Sequence, residues 1–280
     1  MQIDDKLIEL KLKTLELCFK TKCLNSEYDY FLCYSGGRDS HFLYWFIREY
    51  LNNKSIPIVA INTRMEHAEI KARIEQNSDV VLFSKLTPFE IKEKYGIPCF
   101  SKFQDEMIER YQKGSRSYNT MCAVTGENRV TFKLNNTARE LLLSDQLHRI
   151  SNKCCLYTKK KPLHEFEKQT GMKAITGIRG GEGMLRKAQF KTCLDKNGKF
   201  SPLYDFDDDL MRAIEIKYNI EVPKIYETLD RTGCFGCPYG WRCGKGNTVK
   251  ELDLLNASQR KFATEYFKES YEVLKIPYES

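Results

Sequence analysis

The chain has 280 residues, of which 41% are hydrophobic and 12% aromatic, and it carries a formal net charge of +7. This apolar content suffices for a packed core and excludes a disordered chain, while no apolar run reaches the length of a membrane span. The mild positive charge is compatible with a nucleotide, a nucleic acid or an ordinary enzyme surface. The first residues lack the pattern of a signal peptide, which favours a cytoplasmic protein.

Short apolar strands alternate with helical patterns along the chain. The predicted strands are 29–34, 56–61, 79–83 and 174–178. The predicted helices are 3–20, 39–52, 66–77, 88–96, 102–112, 137–149, 153–170, 205–218 and 249–273, the last of these as one or two helices. This order is typical of βαβ units, so we expect an α/β fold with a parallel sheet and a ligand site beyond the carboxyl ends of its strands.

Two stretches are predicted to lack regular structure. Residues 113–136 form a long polar connection, either a surface loop or a lid over a site, and residues 228–247 form a loop rich in glycine and cysteine. We therefore expect a nucleotide-binding domain over residues 1–225. A cysteine-rich loop and the C-terminal helices, residues 226–280, would pack on it.

A turn with two glycines follows the first predicted strand. Its residues are Ser35, Gly36, Gly37, Arg38, Asp39 and Ser40. Glycines let the backbone approach an anion, and the start of the next helix adds partial positive charge there. The serines add hydroxyl donors, Arg38 adds full charge, and Asp39 either caps the helix or helps to hold a metal such as Mg²⁺. The alternative is an ordinary βα turn with no ligand.

Other phosphate-binding motifs do not fit this turn. A P-loop needs a lysine before the hydroxyl, and a dinucleotide fingerprint needs three spaced glycines. The pattern Ser-Gly-Gly-x-Asp-Ser after a strand instead resembles the pyrophosphatase loop of the PP-loop superfamily, whose members share an adenine nucleotide α-hydrolase-like fold. The resemblance implies an adenine nucleotide, ATP or phosphoadenosine phosphosulfate (PAPS), as the ligand.

Further segments resemble the PAPS reductase-like family of that superfamily, in the family's order over about residues 29–240. They are Asn62 to His67, Lys153-Cys154-Cys155 with Lys160 to Leu163, Gly177 to Arg186, Ser201 to Phe206, and Arg231 to Pro238.

The resemblance assigns roles to several charged residues. It implies that Arg179 and Arg186 hold phosphate or sulfate oxygens, a task that suits guanidinium groups, and that Lys160 adds a point charge. It also implies catalytic roles for Asp39, Arg179 and Glu182. The alternatives are a salt-bridged surface pair for the two arginines and a loop residue bonded to backbone N–H groups for Glu182.

Eleven cysteines are many for a chain expected in a reducing compartment, where a disulfide framework is not expected. Six scattered ones are interpreted as small buried hydrophobic residues: Cys18, Cys23, Cys33, Cys99, Cys122 and Cys193. The resemblance implies that four others bind a [4Fe–4S] cluster through their thiolates, with Cys243 as a competing ligand. These four are Cys154, Cys155, Cys234 and Cys237. A zinc site and a metal-free set of core cysteines are the alternatives.

The chain also departs from the family. Gly183 stands where a serine is usual, and the residues after Cys243 offer no thiol for the nucleophile of a sulfonucleotide reductase. We therefore expect an enzyme that binds ATP or PAPS and performs sulfur transfer or sulfonucleotide reduction. A sulfur donor protein and a nucleic-acid or small-molecule acceptor would be its partners. The alternative is a non-catalytic nucleotide- or nucleic-acid-binding protein with a structural zinc or cluster.

Overall fold

The structure is a computed structural model that describes residues 3–128, 131–179, 192–230, 232–241 and 246–278. The strands are β1 (Tyr30–Tyr34), β2 (Ile58–Asn62), β3 (Val80–Phe83) and β4 (Lys173–Ile175). The helices up to residue 125 are α1 (Asp5–Phe19), α2 (Arg38–Trp45), α3 (Ala68–Asn77), α4 (Pro88–Tyr95), α5 (Lys102–Gln112) and α6 (Tyr118–Thr125). Those that follow are α7 (Asn136–Leu143), α8 (Lys153–Cys155), α9 (Lys161–Thr170), α10 (Asp208–Lys217), α11 (Asn247–Asp253) and α12 (Ala257–Leu274). None of the helices in these ranges combines the length and the apolar character needed to cross a membrane.

The chain divides into two compact units. Unit 1 comprises Met1–Asn62, Ala68–Leu82 and Pro162–Tyr226, and unit 2 comprises Thr63–His67, Phe83–Lys161 and Glu227–Ser280. The predicted boundary between residues 225 and 226 has a counterpart at Tyr226. However, the structure also places residues 83–161 in unit 2, a division that local sequence patterns do not reveal because it depends on long-range packing.

Unit 1 is built on a sheet with the strand order β3-β2-β1-β4. Strand β1 pairs in parallel with β2, Leu32 opposite Ile58, and in parallel with β4, Leu32 opposite Ile175. Both faces of β1 are apolar, as expected for a central strand covered by helices on both sides. The structure confirms the predicted α/β fold with a parallel sheet.

Unit 2 has an aromatic core around α12. Tyr266, Phe267 and Tyr271 are buried on one side of this helix and pack with Phe235 and Cys154. A second cluster of α5, α6 and α7 residues includes Ile108, Ala123 and Ala138. Burial of this many large side chains accounts for a stable core without a sheet, at about 25 cal/mol per Å² of apolar surface.

Most predicted elements are present, but one helix was not predicted and several bounds differ from the prediction. The polar stretch 113–136 contains α6, which Ser117 caps through the Thr120 N–H and which ends at Gly126 with a left-handed φ of 81°. The stretch is polar in sequence because of its capping residues, whereas the buried face of α6 is apolar. The helix predicted over 137–149 ends at Leu143, before Asp145 takes a left-handed φ of 57°. The C-terminal helices begin at residue 247, inside the predicted loop.

The scattered cysteines fall into two groups. Cys23, Cys99 and Cys122 are buried, as predicted for small hydrophobic residues. Cys18, Cys33 and Cys193 are only half-buried, so the prediction of burial is wrong for them. All of these side chains are free thiols.

His148 makes the stability of unit 2 sensitive to acid. Its Nε2 lies 3.0 Å from Ser270 Oγ, and burial lowers the pKa of the imidazole to about 4, from 6.5. Since the unfolded chain binds this proton more tightly, stability is lost as the pH falls from about 6.5 to about 4. When the pH is lowered from about 7 to about 5, we expect the Tm of His148→Gln to fall less than the Tm of the wild type. Equal losses of Tm in thermal unfolding of the two proteins would contradict this.

Candidate functional site

The turn between β1 and α2 depends on a close backbone approach at Gly36. This residue has a left-handed φ of 71°, and a Cβ added there would stand 2.9 Å from the Ile70 carbonyl oxygen of α3. Gly37 then takes an extended conformation as the N-cap of α2. Glycine at position 36 is therefore required both by its φ angle and by the packing of α3 against the turn.

Ser40 closes the turn from the first turn of α2. Its hydroxyl accepts the Ser35 N–H at 3.2 Å, lies 3.0 Å from Ser35 Oγ, and donates to the Gly37 carbonyl at 2.9 Å. The two serines and the two glycines predicted to bind an anion are thus brought together. They form a concave turn directly at the N-terminus of a helix, an arrangement that suits a phosphate.

The sequence suggested that Arg38 offers a free positive charge to the turn, but in the structure this charge is paired. Its guanidinium makes a two-pronged ion pair with Glu215 of α10, with Nε 2.7 Å from Oε1 and Nη2 on Oε2. The hydrogen bonds of Glu215 raise the pKa of Arg38 above its usual range despite burial. The Arg38 N–H donates to the Tyr226 hydroxyl at 3.1 Å, so one helix N-terminal donor already has a partner.

Arg179 is brought to the turn through Asp39. Its Nε lies 3.1 Å from Asp39 Oδ1, and its Nη1 lies 2.8 Å from Asp208 Oδ1. Burial lowers the pKa of Arg179, but the two carboxylates outweigh this and raise it overall. Gly177 permits the contact, because a Cβ there would stand 3.1 Å from the Asp39 backbone. The sequence predicted Asp39 and Arg179 as site residues, and the structure places them side by side.

The structure does not test the roles of the other predicted site residues. Glu182, Gly183 and Arg186 lie outside the described residues. Lys160 is exposed and belongs to unit 2. Their roles stay predictions.

The described charges around the turn nearly cancel. Two guanidinium groups, Arg38 and Arg179, face three carboxylates, Asp39, Asp208 and Glu215. A polyphosphate bound here would need further positive charge, from side chains or from a cation such as Mg²⁺.

A polar cavity of about 280 Å³ lies beside α2 in unit 1 and was not predicted. Its lining includes His41, Tyr44, Arg73 and Asn77. His41 stacks on Tyr44 with ring centroids 5.4 Å apart, and its Nδ1 lies 3.0 Å from the Tyr34 hydroxyl. Burial and the positive charge of Arg73 lower the pKa of His41 to about 4, so the ring is neutral near pH 7. Helical spacing from the turn could have indicated that His41 and Tyr44 share a face.

Unit 2 gathers four predicted ligands, which we call the thiol cluster: Cys154 and Cys155 of α8 with Cys234 and Cys237. Cys154 is buried and the other three are half-buried. Burial raises the pKa of Cys237 well above its usual value, and charges on Cys155, Cys234 and Cys154 raise it further.

Hydrogen bonds hold the Cys234–Cys237 backbone at nearly every residue. The Phe235 N–H donates to the Met65 carbonyl at 2.8 Å, and the Gly236 N–H donates to Glu251 Oε2 at 3.1 Å. The Tyr271 hydroxyl donates to the Gly236 carbonyl, and Thr248 Oγ1 donates to the Cys237 carbonyl at 2.9 Å. Gly236 has φ 64°, and a Cβ there would stand 2.6 Å from the Tyr271 hydroxyl oxygen. The turn that carries two thiols is thus fixed by its packing.

Polar side chains surround the thiol cluster. The Tyr266 hydroxyl donates to Cys154 Sγ at 3.6 Å, and Thr63 Oγ1 lies 3.8 Å from Cys234 Sγ. Lys159 is half-buried, and the negative charge of an ionised Cys234 raises its pKa above the usual range despite burial. This ammonium group is suited to stabilising thiolate charge.

Within the described residues, which do not include Cys243, no group of three or more His, Cys, Asp or Glu side chains is placed to hold a metal ion. The thiol cluster offers four sulfur atoms as ligands and the Lys159 ammonium group to offset their charge. As a set of donor atoms it therefore fits a metal centre whose ligands are all thiolates.

Sequence reasoning missed the partners that position these groups. Glu215 and Tyr226 lie far along the chain from the turn that they contact, and only the fold brings them there. Tyr266 could have been suggested by the apolar periodicity of the last helix, which marks the residues that face inward. Lys159 stands four residues after Cys155, on the next turn of a helix. This spacing could have indicated that the lysine lies near the thiol.

Similar folds are found among solved structures, and two of them illustrate the likeness. The chain is similar to the PAPS reductase from Candida auris, in a phosphate complex, with 12% identity and a TM-score of 0.43 over 81% of this chain and 93% of that one. It is also similar to the NH3-dependent NAD synthetase from Campylobacter jejuni, in complex with nitrate, with 12% identity and a TM-score of 0.38 over 98% of both chains. No family model and no curated protein matches the chain. These identities and TM-scores are too low to bear on function.

The role of Gly36 can be tested against a glycine with the same backbone angle. Gly171 has φ 73° but no heavy atom within 4 Å of an added Cβ, so Gly171→Ala should cost only the left-handed conformation, about 1 kcal/mol. We expect Gly36→Ala to cost about 1–3 kcal/mol more, because α3 must move. Equal free energies of unfolding in urea for the two variants would contradict the steric role of Ile70.

Proposed function

We propose that this chain is a PAPS reductase-like enzyme of the PP-loop superfamily that binds the phosphates of an adenine nucleotide at Ser35–Ser40. The observation that carries the proposal is the concave turn at the N-terminus of α2, built on Gly36 and closed by Ser40. An ordinary βα turn needs neither a left-handed glycine against a neighbouring helix nor two serine hydroxyls in contact. The order of the family motifs along the chain supports adenine as the base.

Asp39 and Arg179 are the proposed catalytic pair of this turn. Arg179 bridges Asp39 and Asp208, so its charge is held within reach of the turn. A nucleotide phosphate would compete with Asp208, which is the more exposed of the two carboxylates. Arg179 would then transfer part of its hydrogen bonding to the phosphate, and Asp39 would hold the guanidinium or a Mg²⁺ ion in position.

The thiol cluster is the proposed second half of the chemistry. Its four cysteines would hold a [4Fe–4S] cluster, which would supply a redox-active or sulfur-binding centre when it is bound. The chain's own contribution is to orient the thiols through the Cys234–Cys237 turn and to offset their charge with Lys159. We propose that the enzyme acts in sulfur transfer or in sulfonucleotide reduction, with a sulfur donor and an acceptor as partners.

A non-catalytic nucleotide-binding protein with structural zinc is the second candidate. One observation favours it, namely that Arg38 is fully engaged with Glu215 and offers the turn no free charge. Metal content and product analysis separate the two candidates.

We expect Arg179→Gln to weaken ATP or PAPS binding about 10-fold to 100-fold, the effect of losing a charge-assisted hydrogen bond. Isothermal titration with ATP, with and without Mg²⁺, and with PAPS measures this. Lys217→Gln is the matched control, because Lys217 also belongs to unit 1 but pairs with Asp5 and Glu9 of α1. Failure of the wild type to bind either nucleotide, or equal weakening in both variants, would contradict the proposed site.

The nature of the thiol cluster is tested on anaerobically purified protein. We expect iron, sulfide and a broad visible absorption band in the wild type, all lost in Cys234→Ala. Cys122→Ala, which removes a buried thiol of α6 in the same unit, should keep them. Zinc without iron in the wild type would favour the second candidate, and no metal at all would overturn both assignments of the thiol cluster.

Product analysis identifies the reaction. AMP and pyrophosphate formed from ATP, in the presence of a sulfur donor and an acceptor, would support sulfur transfer. Sulfite formed from PAPS with a thiol reductant would support reduction. Tight nucleotide binding with neither set of products would reject the proposal that the chain is an enzyme of either kind.

A further inference from the structure

Two cysteines of unit 1 that the proposed function does not use lie in contact. Cys18 Sγ donates a hydrogen bond to Cys193 Sγ across 3.3 Å, although the two residues are 175 positions apart. Both thiols are half-buried and free. A disulfide bond is about 2.0 Å long, so the two sulfurs are little more than 1 Å from bonding distance.

Packing on both sides of the pair holds this contact in place. Next to Cys18, Phe19 of α1 packs edge-on against Phe200 with ring centroids 5.1 Å apart. The middle of the same helix is tied to the segment 192–206 by Lys11, whose Nζ lies 2.8 Å from Asp205 Oδ2. The Cys193 carbonyl accepts the Ser201 N–H at 2.6 Å. The two thiols are therefore held near each other by contacts that do not involve sulfur.

We propose that Cys18 and Cys193 are a redox modification site, at which hydrogen peroxide forms a reversible disulfide between α1 and the segment 192–206. The inference is independent of the nucleotide site and of the thiol cluster. It rests on the sulfur contact and on the packing that maintains it.

The chemistry proceeds in two balanced steps. The Cys193 sulfur, which accepts the hydrogen bond, attacks one oxygen of peroxide, the O–O bond breaks, and a sulfenic acid and one water form. The Cys18 sulfur then attacks the sulfenic sulfur, the S–O bond breaks, and the hydroxyl leaves as a second water with the proton of Cys18. Two thiols lose two electrons in total, and one peroxide is reduced to two waters.

The hydrogen bond between the two sulfurs sets the order of the steps. Burial, and next the hydrogen bond to Cys193, raise the pKa of Cys18 to about 12, so Cys18 holds its proton and is not the sulfur that attacks peroxide first. In the second step this proton passes to the leaving hydroxyl as the S–S bond forms. A thiol reductant such as dithiothreitol reverses the product by thiol–disulfide exchange.

The test uses the full-length protein and needs no variant for its first result. After treatment with hydrogen peroxide, the remaining thiols are alkylated and the chain is digested without reduction. We expect the peptides of Cys18 and Cys193 to be linked in most molecules and to separate after dithiothreitol. Peptides in which both cysteines are alkylated, or in which Cys193 is over-oxidised while Cys18 stays free, would overturn the proposal.

Variants give a second, independent result. Because a cross-link over so many residues restricts the unfolded chain, peroxide should raise the Tm of the wild type. The rise should be absent in Cys18→Ser and Cys193→Ser, and it should persist in Cys33→Ala, which removes the other half-buried thiol of this unit outside the pair. If Cys18→Ser does not fold, the peptide map of the wild type still decides. An equal rise of Tm in all three variants would contradict the site.

Discussion

The candidate nucleotide site depends on close approaches of backbone segments, one of which leaves no room for a side chain and the other very little. At Gly36 the turn after β1 lies against the Ile70 carbonyl of α3, and at Gly177 the chain after β4 lies against the first turn of α2. These two approaches fix the turn from two neighbouring strands of one sheet. Consequently Ser35, Ser40 and Asp39 take their places without long side chains to guide them.

The same packing decides where the charges go. Arg38 stands at the start of α2, and Arg179 follows β4. At both positions the sequence predicted free anion-binding groups. In the folded chain α10 supplies a partner to each, since Glu215 and Asp208 are on that helix. A buried guanidinium without a carboxylate would be costly, so these two carboxylates offset the cost of burying the arginines.

Local patterns in the sequence predicted the sheet and the glycine turn. Each is a signal over a few neighbouring residues, such as the apolar run of β1 or the two glycines that follow it. The binding of a metal by four cysteines stays a prediction. The sequence did not predict α6, because its capping residues Ser117 and Gly126 made the segment look like a loop. It also did not predict the partners Glu215, Tyr226 and Tyr266, since contacts over such separations follow from the fold and not from spacing.

The hydrogen bonds on the Cys234–Cys237 turn have a consequence for the cost of ordering its two thiols. The peptide groups of the turn are bonded to Glu251, Tyr271 and Thr248, which leaves the backbone little freedom. Fixing the backbone of a residue costs about 1–2 kcal/mol of conformational entropy. Any group that bound these two thiols would find that cost already met by the packing of the turn.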